Sequence, residues 1–551
     1  MLIAAWLVWF PPSPDLAAQV YRAHLFAADG FSLWDNNWYG GHYLPDYSLL
    51  FPPLAALVGL QRVGVASVAI STLVFRRLAK AHFGERASLA TVLFALGACG
   101  DLFIGRLTFA LGVTFGMASV LAIVQGRRNA AALLSLGCAA ASPVAALFLA
   151  LAAAADLLTN RALARALTLA GPALGLTLAL TLLFPDGGYE TFAFSSLLAA
   201  AGLSLVLLFL LPARERLLRC GVGLYILALL LSYFVRSAMG SNSVRLGVLL
   251  VPAIWAGTIG VEDVRLALAR AARWRPLRRG ADALQQGNDR MGSGHARSRR
   301  GEDWLGQEDD RNRSLLAHPG VARLLLAVAG MGLVLWQLNG PLLQSVQASG
   351  DPSTKASYYT PVIRYLDSQT HGAPIRIEEA FTRSHWDTVV LGRRFLLARG
   401  WDRQLDTEDD ALFYEPKLTA SAYHAWLLNT GARFVLLSDA PLDFSSRQEA
   451  ALIRSGLPFL HEVFKSTHWR VYAVRGAQPL ASGPGRLSAM DGDGFTLQAT
   501  HPGTFLVRVR YTPYWQVTSG QGVVSEAEDG WTRVTADRSG EVVIDAEFSL
   551  G

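Results

Sequence analysis

Residues 87–128 read ASLATVLFALGACGDLFIGRLTFALGVTFGMASVLAIVQGRR, two apolar runs joined by a short turn carrying Asp101 and Arg106 and closed by the basic pair Arg127 and Arg128. Each run comes close to the roughly 20 apolar residues that a helix needs to cross a hydrocarbon core. The pair therefore predicts two membrane spans, 87–105 and 107–125. Cytoplasmic loops carry the excess of Lys and Arg, so Arg127 and Arg128 mark the inner side and Asp101 and Arg106 the outer one.

Further candidate spans lie at 49–75, 166–184, 191–213, 218–236, 244–262 and 321–343. Arg76, Arg77, Lys80 and Arg86 follow one of them, and Arg214, Arg216 and Arg219 lie between two others. All fall on the inner side if residues 129–157, interrupted at Ser142 and Pro143, form a hairpin of two short helices that enters and returns; a single span through Pro143 would reverse everything after it. The first ten residues, MLIAAWLVWF, are too short to cross alone, and they lack the basic region and small-residue cleavage site of a signal peptide.

Composition agrees with a chain of two regimes. Of the 551 residues 52% are hydrophobic and 17% charged, and the mean hydropathy is +0.30, too apolar for one soluble domain and too polar for a membrane bundle alone. The split predicts a multi-span membrane domain over 1–262, a last span at 321–343 and globular sequence beyond 350. Between them residues 263–320, rich in Arg, Gly and Asp, read as a disordered cytoplasmic linker, either a spacer or a tether to anionic lipid. Net charge +6 and pI ≈ 9.3 come from arginines beside apolar runs, so topology accounts for them and no nucleic-acid partner is expected. Cys99, Cys138 and Cys220 lie in or beside apolar runs and form no disulfide or metal pattern.

Residues 350–475 mix strand-like runs such as GARFVLLS with helix-like ones such as SRQEAALIRSG, which predicts an α/β unit. Residues 485–551 alternate apolar and polar, as in GTFLVRVRYTPYWQV, which predicts an antiparallel β-sandwich-like module. On the outer side the loop PPSPDLAAQVYRAHLFAADGFSLWDNNWYGGHYLPDYS holds Asp15, Tyr21, Arg22, Trp34, Asp35, Trp38, His42 and Asp46. Ionisable groups clustered among aromatic rings at a bilayer surface are candidates for chemistry. The α/β unit adds His385, Trp386, Asp387, Arg399 and Trp401, a set suited either to sugar recognition or to a salt-bridged interface with the membrane part. Arg106, Arg236 and Arg245, with Asp101, Asp186, Glu190 and Asn242, sit at outer span ends and imply a shared polar cavity there, where carboxylates could activate a hydroxyl and guanidinium groups hold a phosphate.

The series PDLAAQVYRAHLF, GFSLWDNNWYGGHYLPDYSLLFPPL, GRLTFALG, SPVAALFLAL and GSNSVRLG resembles the GT-C superfamily of polytopic membrane glycosyltransferases. More narrowly it is similar to actinobacterial membrane proteins labelled "6-pyruvoyl-tetrahydropterin synthase-related". The resemblance extends into ARGWDRQLD and YTPYWQV. It implies an α-helical polytopic domain of about 9 to 11 spans, a polyprenyl-phosphate sugar as donor and an envelope glycan as acceptor. Asp15 matches the essential acidic residue just beyond the first helix, so the resemblance implies that it is catalytic, with Tyr21, Arg22, Trp34, Asp35, Trp38, His42 and Asp46 toward substrate and Arg106, Arg236 and Arg245 toward donor phosphate. Where relatives carry His four residues after that Asp, this chain has Gln19. No cofactor is required by this reading, although carboxylates at the site leave room for a divalent metal ion. Two other classes compete: a transporter, against which stand the lack of an internal repeat and the one-sided polar groups, and a non-catalytic scaffold with a carbohydrate-binding outer domain.

Overall fold

In the computed structural model, which describes residues 1–273, 319–370 and 372–548, the two opening runs become the helices Ala87–Ile104 and Leu107–Val124. Between them Gly105 takes φ +87°, and a Cβ there would lie 2.6 Å from the backbone nitrogen of Leu16. The corner is left-handed and pressed against the helix Pro14–Asp29, and glycine meets both demands. Ahead of it Leu60–Phe83 turns back through Gly84–Arg86, since Phe75 stacks on Phe94 at 4.3 Å, a contact that only antiparallel legs allow.

Among the described residues six segments are long and apolar enough to cross a membrane: Leu60–Ile104 with its two legs, Leu107–Val124, Pro143–Asn160, Leu163–Leu183, Arg216–Phe234 and Pro319–Ser349. A seventh results if Gly240–Thr258 and Val261–Leu268, bent by 94°, count as one. Arg128–Ala141 and Phe194–Leu210 are shorter helices of the same bundle. Leu133, Leu178, Leu182 and Leu198 point outward and exposed, as side chains facing lipid do. At the arginine-rich end, Arg86 donates to the carbonyl of Thr258 at 2.9 Å, Arg219 to those of Leu208 and Leu211, and Arg165 pairs with Asp156 at 2.6 Å. Basic side chains thus satisfy helix C-terminal carbonyls there.

Several boundaries differ from the sequence reading. The run 49–75 is broken at Gly59, φ +93°, into Phe51–Val58 and Leu60–Phe83. The break expected within 129–157 is present: Arg128–Ala141 and Pro143–Asn160 part at Ser142, whose hydroxyl caps the second helix through Ala145 N. The linker expected from 263 is helical at its start: Val261–Arg273 forms a helix whose Val264 and Leu268 share a hydrophobic cluster with Ala322 and Leu326 of Pro319–Ser349. Residues 274–318, the rest of that expected linker, lie outside the described residues. Pro319–Ser349 itself runs through Pro341 and is longer than the expected 321–343, with Gln337 donating to the carbonyls of Leu93 and Val248.

Beyond it stands the α/β unit. Strand β3 (Arg376–Glu379) pairs in parallel with β4 (Leu396–Leu397) and β5 (Ala432–Ser438), and β7 (Trp469–Val474) and β6 (Leu460–Lys465) add antiparallel in the order β4-β3-β5-β7-β6. The sandwich has two antiparallel sheets. One is β12 (Trp515–Ser519), β15 (Gly540–Ala546), β10 (Gly494–Ala499) and β9 (Gly485–Met490); the other is β13 (Gly522–Glu526), β14 (Trp531–Ala536), β11 (Gly503–Arg510) and β8 (Ala481–Ser482). Phe495, Leu497, Phe505, Val507, Val534 and Ile544, two apart on their strands where they share one, fill the space between the sheets. The first loop, with β1 (Trp34–Asp35) paired to β2 (His42–Tyr43), is threaded between both units. Asn36 N donates to Gly492 O, Arg510 N to Gly40 O and Leu397 N to Asn37 O.

Candidate functional site

The PPSP segment leaves its chain extended, and Pro14 then opens the helix Pro14–Asp29 with Ser13 at the cap position. Asp15 therefore lies in the first turn, where the helix dipole favours a carboxylate. Its Oδ2 accepts from Arg106 Nε at 3.0 Å and lies 4.0 Å from an Arg245 nitrogen. Arg106 is delivered by the Gly105 corner, and Arg245 by the start of the helix Val244–Thr258. Gln19 locks the first of these in place. Its amide N–H groups donate to the carbonyls of Asp15 and Gly105, and its oxygen accepts from Leu107 N at 3.0 Å and Thr108 N at 3.3 Å.

These groups line a cavity of ≈ 370 Å³ at the junction of the bundle with the α/β unit. Its other wall holds Asp46, Asp186, Glu190 and Asp402. Arg22 donates to Asp402 Oδ2 at 3.1 Å while its guanidinium covers the Tyr47 ring at 4.0 Å, and Ser241 donates to Glu190 at 3.0 Å. Burial, and then the charge of Asp402, push the Asp46 carboxyl up to about 7. Burial and the neighbouring Asp46 and Asp402 hold Asp186 well above the usual carboxylate range, and its Oδ2 has no hydrogen-bond partner among the described residues. The cavity thus sets a carboxylate between two guanidinium groups against carboxyls that resist ionisation.

Of the side chains singled out in the sequence, Asp15, Asp46, Arg106, Asp186, Glu190, Asn242, Arg245 and Trp401 line this cavity, and Asp101 does not. Others are turned into the protein. Tyr21 stacks on Trp38 at 4.0 Å and donates to Asp35 at 2.8 Å; burial raises Asp35 to about 6 and lowers His42 to about 3. Trp34 packs edge-on against Tyr43 and Trp515. Arg399, fully buried, forks onto Asp406 at 2.9 and 2.7 Å and lies near Glu378 and Glu449, and Asp387 accepts from the Thr382 hydroxyl. His385 stacks on Trp401 at 3.5 Å, and the indoles of Trp386 and Trp401 donate to the carbonyls of Pro12 and Pro14. Arg236 is exposed over Tyr189, 5.1 Å from its ring, and is not among the lining side chains. These side chains already have partners: Tyr21, Trp38 and Asp35 have one another, Arg399 and Asp387 have groups of the α/β unit itself, and Trp386 has the Pro12 carbonyl across the joint with the bundle.

Asp402, Tyr47 and Gln404 also line the cavity and were not anticipated. The string WDRQ does signal an N-cap, and Asp402 Oδ1 accepts from Gln404 N at 3.2 Å. Nothing local, however, ties Asp402 to Arg22, 380 residues earlier. Among the described residues no group of three or more His, Cys, Asp or Glu side chains is disposed to hold a metal ion.

A second, apolar cavity of ≈ 460 Å³ runs among the helices Leu107–Val124, Pro143–Asn160, Arg216–Phe234 and Val244–Thr258. Its upper residues Ala145 and Leu246 adjoin Val144 and Arg245 of the polar one.

No protein-family profile matches this sequence, and no curated protein does. Among solved structures the chain is similar to ArnT from Cupriavidus metallidurans in the apo state, with TM-score 0.40 and 15% identity over 87% of this chain and 98% of that one. At that level the likeness carries no argument about chemistry, which rests on the side chains of the cavity.

Proposed function

We propose that this chain is a membrane glycosyltransferase that moves a sugar from a polyprenyl-phosphate donor to a cell-envelope glycan on the outer face of the membrane. The observation that carries the reading is Asp15 held by Arg106 at 3.0 Å with Arg245 4.0 Å away, in a cavity where the bundle meets the outer units. Guanidinium groups at that spacing suit a phosphate, and Asp15 is placed to orient and deprotonate an acceptor hydroxyl. In the reaction the acceptor oxygen forms the new bond to the anomeric carbon as the bond from that carbon to the phosphate oxygen breaks. The hydroxyl proton passes to Asp15, and polyprenyl phosphate leaves with its charge on the two arginines. The adjoining apolar cavity offers the donor's hydrocarbon tail a path below Arg245.

The arginine-rich end of the bundle supports the orientation, with Arg76, Arg127, Arg161 and Arg214 inside and the α/β unit and sandwich outside. Purified chain in lipid discs, given radiolabelled polyprenyl-phosphate arabinose or mannose and an envelope oligosaccharide, should extend the oligosaccharide. Absence of label in product with either donor, while binding of the acceptor persists, would favour a scaffold role.

A further inference from the structure

At the end of the five-stranded sheet opposite Trp386, between the α/β unit and the sandwich, lies an open groove of ≈ 890 Å³. Its floor is formed by the starts of β3 and β5 and the end of β7, with Tyr365, half-buried and stacked on Phe464 at 4.6 Å, on one side. Arg376, Arg433 and Arg486 line it, and no Asp or Glu does. Arg433 and Arg486 are exposed, and neither they nor Arg376 form an ion pair among the described residues.

Arg376 is the unusual member. It is 1% exposed, yet no carboxylate answers it: its two terminal nitrogens donate to the carbonyls of Thr430 and Arg508, and its Nε has no partner among the described residues. Arg508, 8% exposed and also without an ion pair among the described residues, stands beside it, and burial together with Arg510 and Arg508 lowers the Arg376 pKa to about 9. Two carbonyls and the Trp531 ring, 5.9 Å away, surround the guanidinium without supplying a counter-charge, and an anion in the groove would lower the cost of burying it. The carboxylates Asp46, Asp186, Glu190 and Asp402 line the other, polar cavity, with which this groove shares no residue.

From this juxtaposition of unpaired arginines and a stacked tyrosine in a groove facing away from the bundle, we infer that the outer units hold a polyanionic glycan. The ligand is a chain of sugars or polyols bearing carboxylate or phosphodiester groups, and its binding is separate from the transfer site. An open groove between two domains accommodates a chain running through it, and a half-exposed aromatic ring offers a face to a sugar ring. The inference goes beyond the transfer reaction and does not depend on Asp15.

The test uses the full chain in discs of zwitterionic lipid, with binding of polygalacturonate and of poly(glycerol phosphate) measured against neutral dextran. Binding of either polyanion is expected, weakening as salt rises, and dextran should not bind. The double variant Arg433→Glu/Arg486→Glu changes two exposed side chains, of which Arg433 lies 5.3 Å from the Phe434 ring, and it should bind about tenfold more weakly or worse with an unchanged melting temperature, since each change replaces an attraction by a repulsion. Asp15→Asn should leave this binding unchanged, which separates the groove from the cavity. Equal binding by the double variant, equal binding of dextran, or attachment only to anionic lipid vesicles with neither polyanion bound would each overturn the inference, the last in favour of a membrane contact.

Discussion

The indole N–H of Trp401 donates to the carbonyl oxygen of Pro14 at 2.8 Å across 387 residues, so the residue before Asp15 is held by the α/β unit. Trp386 makes the matching bond to Pro12 at 3.0 Å, and His385 backs the Trp401 ring at 3.5 Å. The start of the helix that bears Asp15 is therefore clamped from both the bundle, through Gln19, and the α/β unit.

Trp401→Phe keeps an aromatic ring against His385 and removes the donor. The single lost hydrogen bond should cost only about 1 kcal/mol of stability, while transfer should fall by roughly tenfold because Asp15 loses its fixed direction. Thermal unfolding and turnover measured on the same preparation separate the two effects. A variant with full turnover would show that the clamp has no part in the reaction.

Asp15→Asn preserves shape and removes charge. If Asp15 is the base, transfer should drop by about 10² to 10⁴ with normal membrane insertion. Arg106→Gln and Arg245→Gln should instead raise the donor KM. The decisive comparison is Asp46→Asn in the same assay: an inactive Asp46 variant beside an active Asp15 variant would move the base to the other wall.

Asp46 links the cavity to pH. Its folded-state carboxyl titrates near 7, against about 3.9 for an unperturbed one, so between those values the folded chain holds a proton that the unfolded chain has released. Stability from this group is thus present at low pH and lost as pH rises toward 7. Asp46→Asn, which cannot ionise, should gain thermal stability over the native chain at pH 8 and lose that advantage near pH 4. Melting curves at the two pH values check this, and an offset independent of pH would refute it.

Gln19→Ala strips the partners from Leu107 N, Thr108 N and the Gly105 carbonyl, all buried at the corner. A loss of about 1 to 3 kcal/mol is expected. Activity should fall as well, because the corner that carries Arg106 loosens. Stability unchanged within error would mean that water replaces the amide.

Orientation can be read with an impermeant thiol reagent on intact cells. Thr467→Cys, on the α/β unit, should be labelled, and Arg128→Cys, at the arginine-rich end, should not. The reverse pattern would place the cavity on the inner side.

Much of the architecture could be read from sequence because its causes are local. Twenty or so apolar residues predict a span wherever they occur, as in Leu107–Val124, and Ser142-Pro143 predicts a break because proline cannot continue the preceding helix. Alternation along Gly503–Arg510 predicts a strand with Phe505 and Val507 inward. The acidic residue after PPSP could likewise be picked out, although the loop expected there is helical over Pro14–Asp29 and holds Asp15 in its first turn. Only the tertiary structure decided which polar groups face the cavity. Tyr21, Trp38, His42 and Arg399 carry the same chemistry as the lining groups, yet each is buried with internal partners. Asp402 meets Arg22, and Trp401 meets Pro14, through contacts between chain segments hundreds of residues apart. Periodicity and charge record what each segment does with its own neighbours in sequence; a hydrogen bond between distant segments depends on how whole domains dock, and no local pattern encodes that.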